Sequence, residues 1–318
     1  MIMDRLFLAV FLCVSLPPLV FSADWDYVVG GPNGPANWDK ICKDGKKQSP
    51  INIEVAKVEY AKMEPFKLTN YNMKPTDDYT LINNGHSLQV GFAGNFFNVS
   101  GGGLVGTYTT VQWHLHWGEN NNKGSEHTMD KKAYPAEIHF VSYNTKYPNI
   151  STAVDKSDGL AVLGVFIEVG GEDNAAYGFL KYAMNVTKKS NITIMPFELK
   201  PMFPAIERFF RYNGSLTTPG CFESVTWTVF KESVKISAAQ MEYLRKLKFT
   251  GGEPMVDNFR PVQPLNGRKV KYSVNETLTK PTSASTTKAT TKPVAGAGII
   301  DISVGLFSLM LLTALFGR

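Results

Sequence analysis

Charge is scarce and unpatterned in this 318-residue sequence. Charged residues make up only 19% of it, and 33 bases against 28 acids leave a net charge of +5. No Lys/Arg run stands out, which argues against a DNA or RNA partner. Cysteine is rarer still, with three in the chain. No His-Glu-x-x-His sequence occurs, so there is no support for a zinc peptidase of that type. Between residues 24 and 272 there is no repeat, no low-complexity break and no Pro/Ser/Gly linker, and one domain is the economical reading. With 43% hydrophobic residues the body can bury a sizeable core, which excludes disorder across it.

Both ends read as processing signals. Residues 6–20 are almost wholly apolar and Val20-Phe21-Ser22 follows, the pattern of a secretory signal peptide over residues 1–22. Cys13 falls inside it. The mature chain keeps Cys42 and Cys221, an even pair whose default state in an oxidising compartment is a disulfide. Sequons at Asn98, Asn149, Asn185, Asn191, Asn213 and Asn275 agree with secretion. After Tyr272 the composition changes, and residues 273–293 read as an exposed Thr/Ser/Lys/Pro stalk. Small residues around Ser283 and Ser285, a polar spacer and the apolar segment 294–318 make a glycosylphosphatidylinositol (GPI) attachment signal, whose tail is removed as a propeptide. The alternative is a retained transmembrane helix. Asp301 inside the segment, and only Gly317-Arg318 beyond it, argue against that. The expected location is the outer face of the plasma membrane.

Aromatic and β-branched runs at 79–82, 87–92, 109–117, 136–143, 160–169 and 224–230 predict strands. Turn clusters such as Asn83-Asn84-Gly85 and Gly101-Gly102-Gly103 separate them. Helical patterns are fewer: 178–185, and 237–249 with Ser237 as N-cap and Gln240 three residues on. The domain at 23–272 is therefore expected to be mainly β (α+β), an extended and mostly antiparallel sheet with short peripheral helices.

Only five histidines occur: His86, His114, His116, His127 and His139. Alternation along the strand at 109–117 puts Gln112, His114 and His116 on one face, with Trp113, Leu115 and Trp117 on the other. His139 lies in the next strand with Glu137 on its own face. Three imidazoles from two strands can converge on one metal and leave tetrahedral zinc an open position, as catalytic zinc sites require. Gln112 and Glu137, each two residues before a histidine on the same face, can hold the second ring nitrogen. His127, in a loop-like Gly-Ser-Glu-His-Thr stretch, reads as a structural hydrogen-bonding residue rather than a ligand.

Gln48-Ser49-Pro50-Ile51-Asn52-Ile53, the run 112–118, Ser125-Glu126-His127-Thr128-Met129-Asp130, Ala136-Glu137-Ile138-His139, the run 160–164 and Ser215-Leu216-Thr217-Thr218-Pro219 resemble the α-class carbonic anhydrases in order and spacing. The resemblance covers residues 25–272, and the stalk, tail and cysteine pair are most similar to the secreted, GPI-anchored branch. It implies a central twisted sheet with zinc at the bottom of a conical cleft. By resemblance, His114, His116 and His139 match the zinc ligands, and Gln112, Glu137 and the backbone of Asn258 their supporting acceptors. Thr217 matches the residue that orients the zinc hydroxide while donating its own proton to Glu126. Thr218, Val141, Val162, Leu216, Val225 and Trp227 match the substrate pocket; without the resemblance the apolar five read as core. His86 matches the proton shuttle, with Tyr27, Asn84 and Gln89 ordering water toward it. An ordinary histidine near 6.5 and a zinc water near 7 would exchange a proton almost thermoneutrally.

Some positions depart from the family pattern. Gly220 stands where many members carry a second proline, which is expected to loosen the turn before Cys221. Trp113 and Leu115 replace aromatics common beneath the ligands. A glycan at Asn213 would crowd the Thr217 loop, so that sequon is expected to be unoccupied. The activity implied is hydration of carbon dioxide to bicarbonate, with Zn2+ as cofactor and the membrane reached through a lipid anchor. The alternative from another class is a catalytically silent carbonic-anhydrase-like extracellular binding module.

Overall fold

The computed structural model of the chain describes residues 25–274. The signal peptide, the stalk beyond residue 274, the apolar tail, Asn275, Ser283 and Ser285 lie outside the described residues. Ten strands form the main path of one mixed sheet: β1 (Glu59–Tyr60), β2 (Tyr79–Asn83), β3 (Leu88–Gly91), β4 (Tyr108–Trp117), β5 (Ala136–Asn144), β6 (Leu160–Val169), β7 (Ser190–Ile194), β8 (Phe209–Gly214), β9 (Val225–Phe230) and β10 (Lys271–Tyr272). Their spatial order is β7-β2-β3-β4-β5-β6-β9-β8-β10-β1. Along this path only β6–β9 and β10–β1 pair in parallel. The expected strands are all present, and the mainly β, mostly antiparallel architecture with short helices holds.

The long central strands β4, β5 and β6 are buried on both faces, which is why they read as near-continuous apolar runs. Trp113, Leu115, Trp117, Ile138, Phe140, Leu163 and Val165 fill one core cluster. Val141, Val162, Phe166, Tyr212, Val225 and Trp227 fill another. Position parity along each strand decides which cluster a side chain joins. The strand bends where a bulge shifts the β4–β5 register between Thr110 and Gln112, just before the histidine pair.

Two helical expectations are refined. The 178–185 pattern is a three-ten helix over Ala175–Val186, and it begins earlier because the Asn174 side chain accepts the Ala176 N–H. The 237–249 pattern is an α-helix only over Ala238–Arg245, opened by the Ser237/Gln240 capping box. Beyond it Leu247 and Phe249 turn out of the helix and bond to Met255 and Glu253 through the backbone.

Candidate metal centre

The register of β4 against β5 sets His114 opposite His139, and His116 opposite Glu137. One nitrogen from each of His114, His116 and His139 lies within 4.8 Å of those of the other two. The remaining nitrogen of each ring has a partner. His114 Nδ1 donates to Gln112 Oε1 at 3.0 Å, His116 Nδ1 to the Asn258 carbonyl at 2.8 Å, and His139 Nε2 to Glu137 Oε1 at 2.7 Å. Since every partner atom is an acceptor, the proton sits on the paired nitrogen. Bare lone pairs are then left on His114 Nε2, His116 Nε2 and His139 Nδ1. Burial lowers His114 well below the ordinary histidine range, and the neighbouring imidazoles add to the shift. Burial also lowers His116, against the pull of Glu126. Both rings are thus neutral, the form that binds metal.

Glu137 is ionised. Burial opposes its charge, but His127 and His139 outweigh burial and hold it well below the usual carboxylate range. It also accepts the His127 backbone N–H at 2.8 Å and His127 Nδ1 at 2.7 Å. His127 Nε2 meets the Tyr212 hydroxyl at 2.6 Å. With both nitrogens so engaged, His127 supports Glu137 and is not a ligand. Gly164 pairs with His139 across β5–β6. A Cβ there would stand 3.0 Å from Glu137 Oε1, so the glycine makes room for the carboxylate.

Two buried atoms in this site have no hydrogen-bond partner, His116 Nε2 and Glu126 Oε2, and they lie 3.4 Å apart. Glu126 Oε2 is also 3.9 Å from His139 Nδ1. Leaving such groups unsatisfied costs about 1–3 kcal/mol each. A cation among the three lone pairs removes that cost for the imidazoles. Three neutral imidazoles with one open position are the donor set of catalytic zinc, so the residues fit that metal.

The other expected positions fall around this cluster. Thr217 is 4% exposed. Among the described residues its expected bond to Glu126 is not made. Glu126 Oε1 accepts the Arg260 N–H at 2.8 Å, and Oε2 turns toward the bare imidazole nitrogens instead. Val141, Val162, Val225 and Trp227 are buried in one cluster with Leu216 packed against it, and the Trp227 ring lies 4.8 Å from that of His139. The Thr218 carbonyl accepts the Cys221 N–H. Cys42 and Cys221 are joined in a disulfide. Gly220 does not loosen this turn. Its φ of +95° is closed to proline, and its N–H donates to Asp39 Oδ2 at 2.8 Å.

His86 lies apart from the ligands, stacked on Trp25 with ring centroids 3.8 Å apart. Burial, and then Lys189, push it down to about 4 against the pull of Asp26. An ordinary value near 6.5 therefore does not apply to the stacked ring. A cavity of about 1070 Å³ is bordered by Trp25, Tyr27, His86 and Phe259. Asn84 Nδ2 reaches Gln89 Oε1 at 3.5 Å, and the Tyr27 ring faces that of His116. Of the sequons, Asn149, Asn185, Asn191 and Asn213 are exposed. Asn98 is half-buried, with its side chain bonded to Asn95 and Thr109.

A mixed sheet that converges three strand-borne imidazoles, each backed by an acceptor, defines a mononuclear zinc-site protein of mainly β fold. The eukaryotic-type carbonic anhydrase family matches residues 33–274, and the chain belongs to that family. It is 41% identical to carbonic anhydrase 7 of Mus musculus over 261 residues, which cover 78% of this chain and 97% of that protein. Identity to carbonic anhydrase 7 of Homo sapiens is 40% over the same share of each chain. Carbonic anhydrase 1 of Mus musculus is 38% identical over 263 residues, 79% of this chain and 99% of that protein.

Several contributors were not assigned from sequence. Trp25, Tyr212 and Gly164 gave no local signal, because each acts on a residue far away in the chain. Arg260 lies two residues beyond Asn258, which alone in that stretch was given a role.

Proposed function

We propose that this chain catalyses the reversible hydration of carbon dioxide to bicarbonate and a proton at the outer cell surface, held there by a GPI anchor. The observation that carries the chemistry is the convergence of three bare imidazole nitrogens beside the orphaned Glu126 Oε2. Zinc, when bound, supplies a water whose pKa is about 7, the value carbonic anhydrase is known for. Gln112, Glu137 and Asn258 hold the three rings in the tautomers that face it.

With zinc bound, the Thr217 hydroxyl, which makes no bond to Glu126 in this structure, would give its proton to the Glu126 carboxylate, so that its own oxygen could only accept from the attacking oxygen. That choice of donor and acceptor aims a lone pair at carbon, an orientation effect. Carbon dioxide, which is apolar, rests against Val141, Val162, Leu216, Val225 and Trp227, with Thr218 at the edge. His86 passes the released proton outward through water. At its stacked position burial and Lys189 hold the ring near 4, so it sheds a proton readily at neutral pH. It takes one from a water near 7 only uphill, and the accepting step needs the ring away from that position.

The disulfide, the exposed sequons, the apolar start and the small-residue, spacer and apolar pattern at the end support a secreted, lipid-anchored protein. The test is carbon dioxide hydration by the secreted fragment 23–272, with and without a zinc chelator. Activity that the chelator removes and zinc restores is expected. A zinc-loaded fragment without hydration activity would overturn the reading in favour of a binding module.

A further inference from the structure

Arg260 is 1% exposed, and among the described residues no carboxylate pairs with its guanidinium. Burying an arginine is costly unless its donors are satisfied, and an apolar residue of similar length would fill the same space. Here both Nη atoms donate to oxygens from distant segments, while the buried Nε has no partner. Nη1 bonds to Gln48 Oε1 and to the Ser49 carbonyl, both at 2.8 Å, and Nη2 bonds to the Cys42 carbonyl at 2.7 Å. The guanidinium lies over the Trp38 ring, 5.6 Å from its centroid.

The segment this side chain anchors touches the metal centre twice. The Asn258 carbonyl accepts from His116 Nδ1, and two residues on the Arg260 N–H donates to Glu126 Oε1. On its outer side the same clamp reaches both half-cystines. Cys42 is bonded directly, and the Cys221 carbonyl is bonded by Gln48 Nε2 at 3.1 Å. Gln48 Oε1 also takes the Ser215 hydroxyl at 3.4 Å, two residues before Thr217.

We infer that Arg260 is a positioning residue that fixes Glu126 beside the three imidazoles and couples that placement to the Cys42–Cys221 disulfide. The inference rests on the hydration reading above. Arg260 meets neither the metal position nor the substrate pocket with its side chain. It acts through its own backbone N–H, which the guanidinium holds at the distance Glu126 needs.

The test is a cycle of Arg260→Met and Glu126→Gln in the mature protein, read as hydration kcat/KM, zinc content and amide hydrogen exchange. R260M should retain one zinc per chain and lose activity about tenfold, the scale of a small misplacement near reacting groups. In the Glu126→Gln background the same change should cost no further activity. Exchange of the residue-260 amide should speed up in R260M and in the Cys42→Ser/Cys221→Ser variant. The same fold-loss in both backgrounds, or activity within twofold of wild type, would overturn the inference. So would an unchanged exchange rate in R260M. If the wild-type protein shows no hydration, the hydration reading fails, and the exchange comparison alone decides the clamp.

Discussion

Glu137→Gln probes the metal centre at its most connected point. The Glu137 carboxylate is fully buried and takes three N–H donors, from His139 Nε2, His127 Nδ1 and the His127 backbone. An amide of the same size keeps one acceptor oxygen and brings an NH2 that must face a donor. Both ring donors share Oε1, so the NH2 either faces the His127 backbone N–H or, flipped, faces both rings. In the flipped case His139 must move its proton to Nδ1, the nitrogen that faces the metal position. A hydrogen bond to a charged group contributes about 1.5–3 kcal/mol, and an unsatisfied buried donor costs about 1–3 kcal/mol. Together they predict a metal-free protein destabilised by roughly 3–5 kcal/mol, the range for breaking a buried pair. Zinc affinity should fall by about 10–100-fold. Urea unfolding of the metal-free protein reads the first quantity, and competition with a chromophoric chelator reads the second. Gln112→Leu, which removes a neutral partner at a half-exposed position, should lose less of both. Zinc affinity within twofold of wild type in a clearly destabilised Glu137→Gln would refute the reasoning, because the carboxylate would then serve only His127.

His86→Ala should lower kcat in dilute buffer and leave kcat/KM nearly intact, with an imidazole-type buffer restoring the rate; an unchanged kcat would remove the shuttle role. Trp25→Ala should return the His86 pKa from about 4 toward 6.5, followed by NMR titration. On acidification the unfolded chain takes up that proton before the folded one does. Wild-type stability should therefore fall as pH drops from 6.5 toward 4, and less so without Trp25. Gly220→Pro should destabilise the protein by more than 1 kcal/mol in thermal or urea unfolding, since it loses both a φ of +95° and the N–H to Asp39. Phosphatidylinositol-specific phospholipase C should release the protein from intact cells; persistent attachment after confirmed enzyme activity, with a resistant anchor excluded by metabolic labelling, would favour a retained transmembrane segment.

Strand content, the single body and the histidine faces were legible along the chain, because period-2 alternation is a local property. Gln112-x-His114-x-His116 and Glu137-x-His139 announce a face and a partner before any strand is paired. The Cys42–Cys221 bond followed from parity and compartment. The family followed largely from motif order, which no single residue carried. Pairing decided the rest. Only the β4–β5 register makes His114 and His139 neighbours, and only the packing of distant segments brings Asn258 to His116, Tyr212 to His127 and Arg260 to Glu126. The same holds for His86. It follows the turn cluster Asn83-Asn84-Gly85, whereas burial against Trp25 and the charge of Lys189 lower its affinity for a proton. A turn or an alternating face is written in neighbouring residues, but dielectric surroundings and donor–acceptor pairing depend on which distant groups the folded chain brings within a few ångströms.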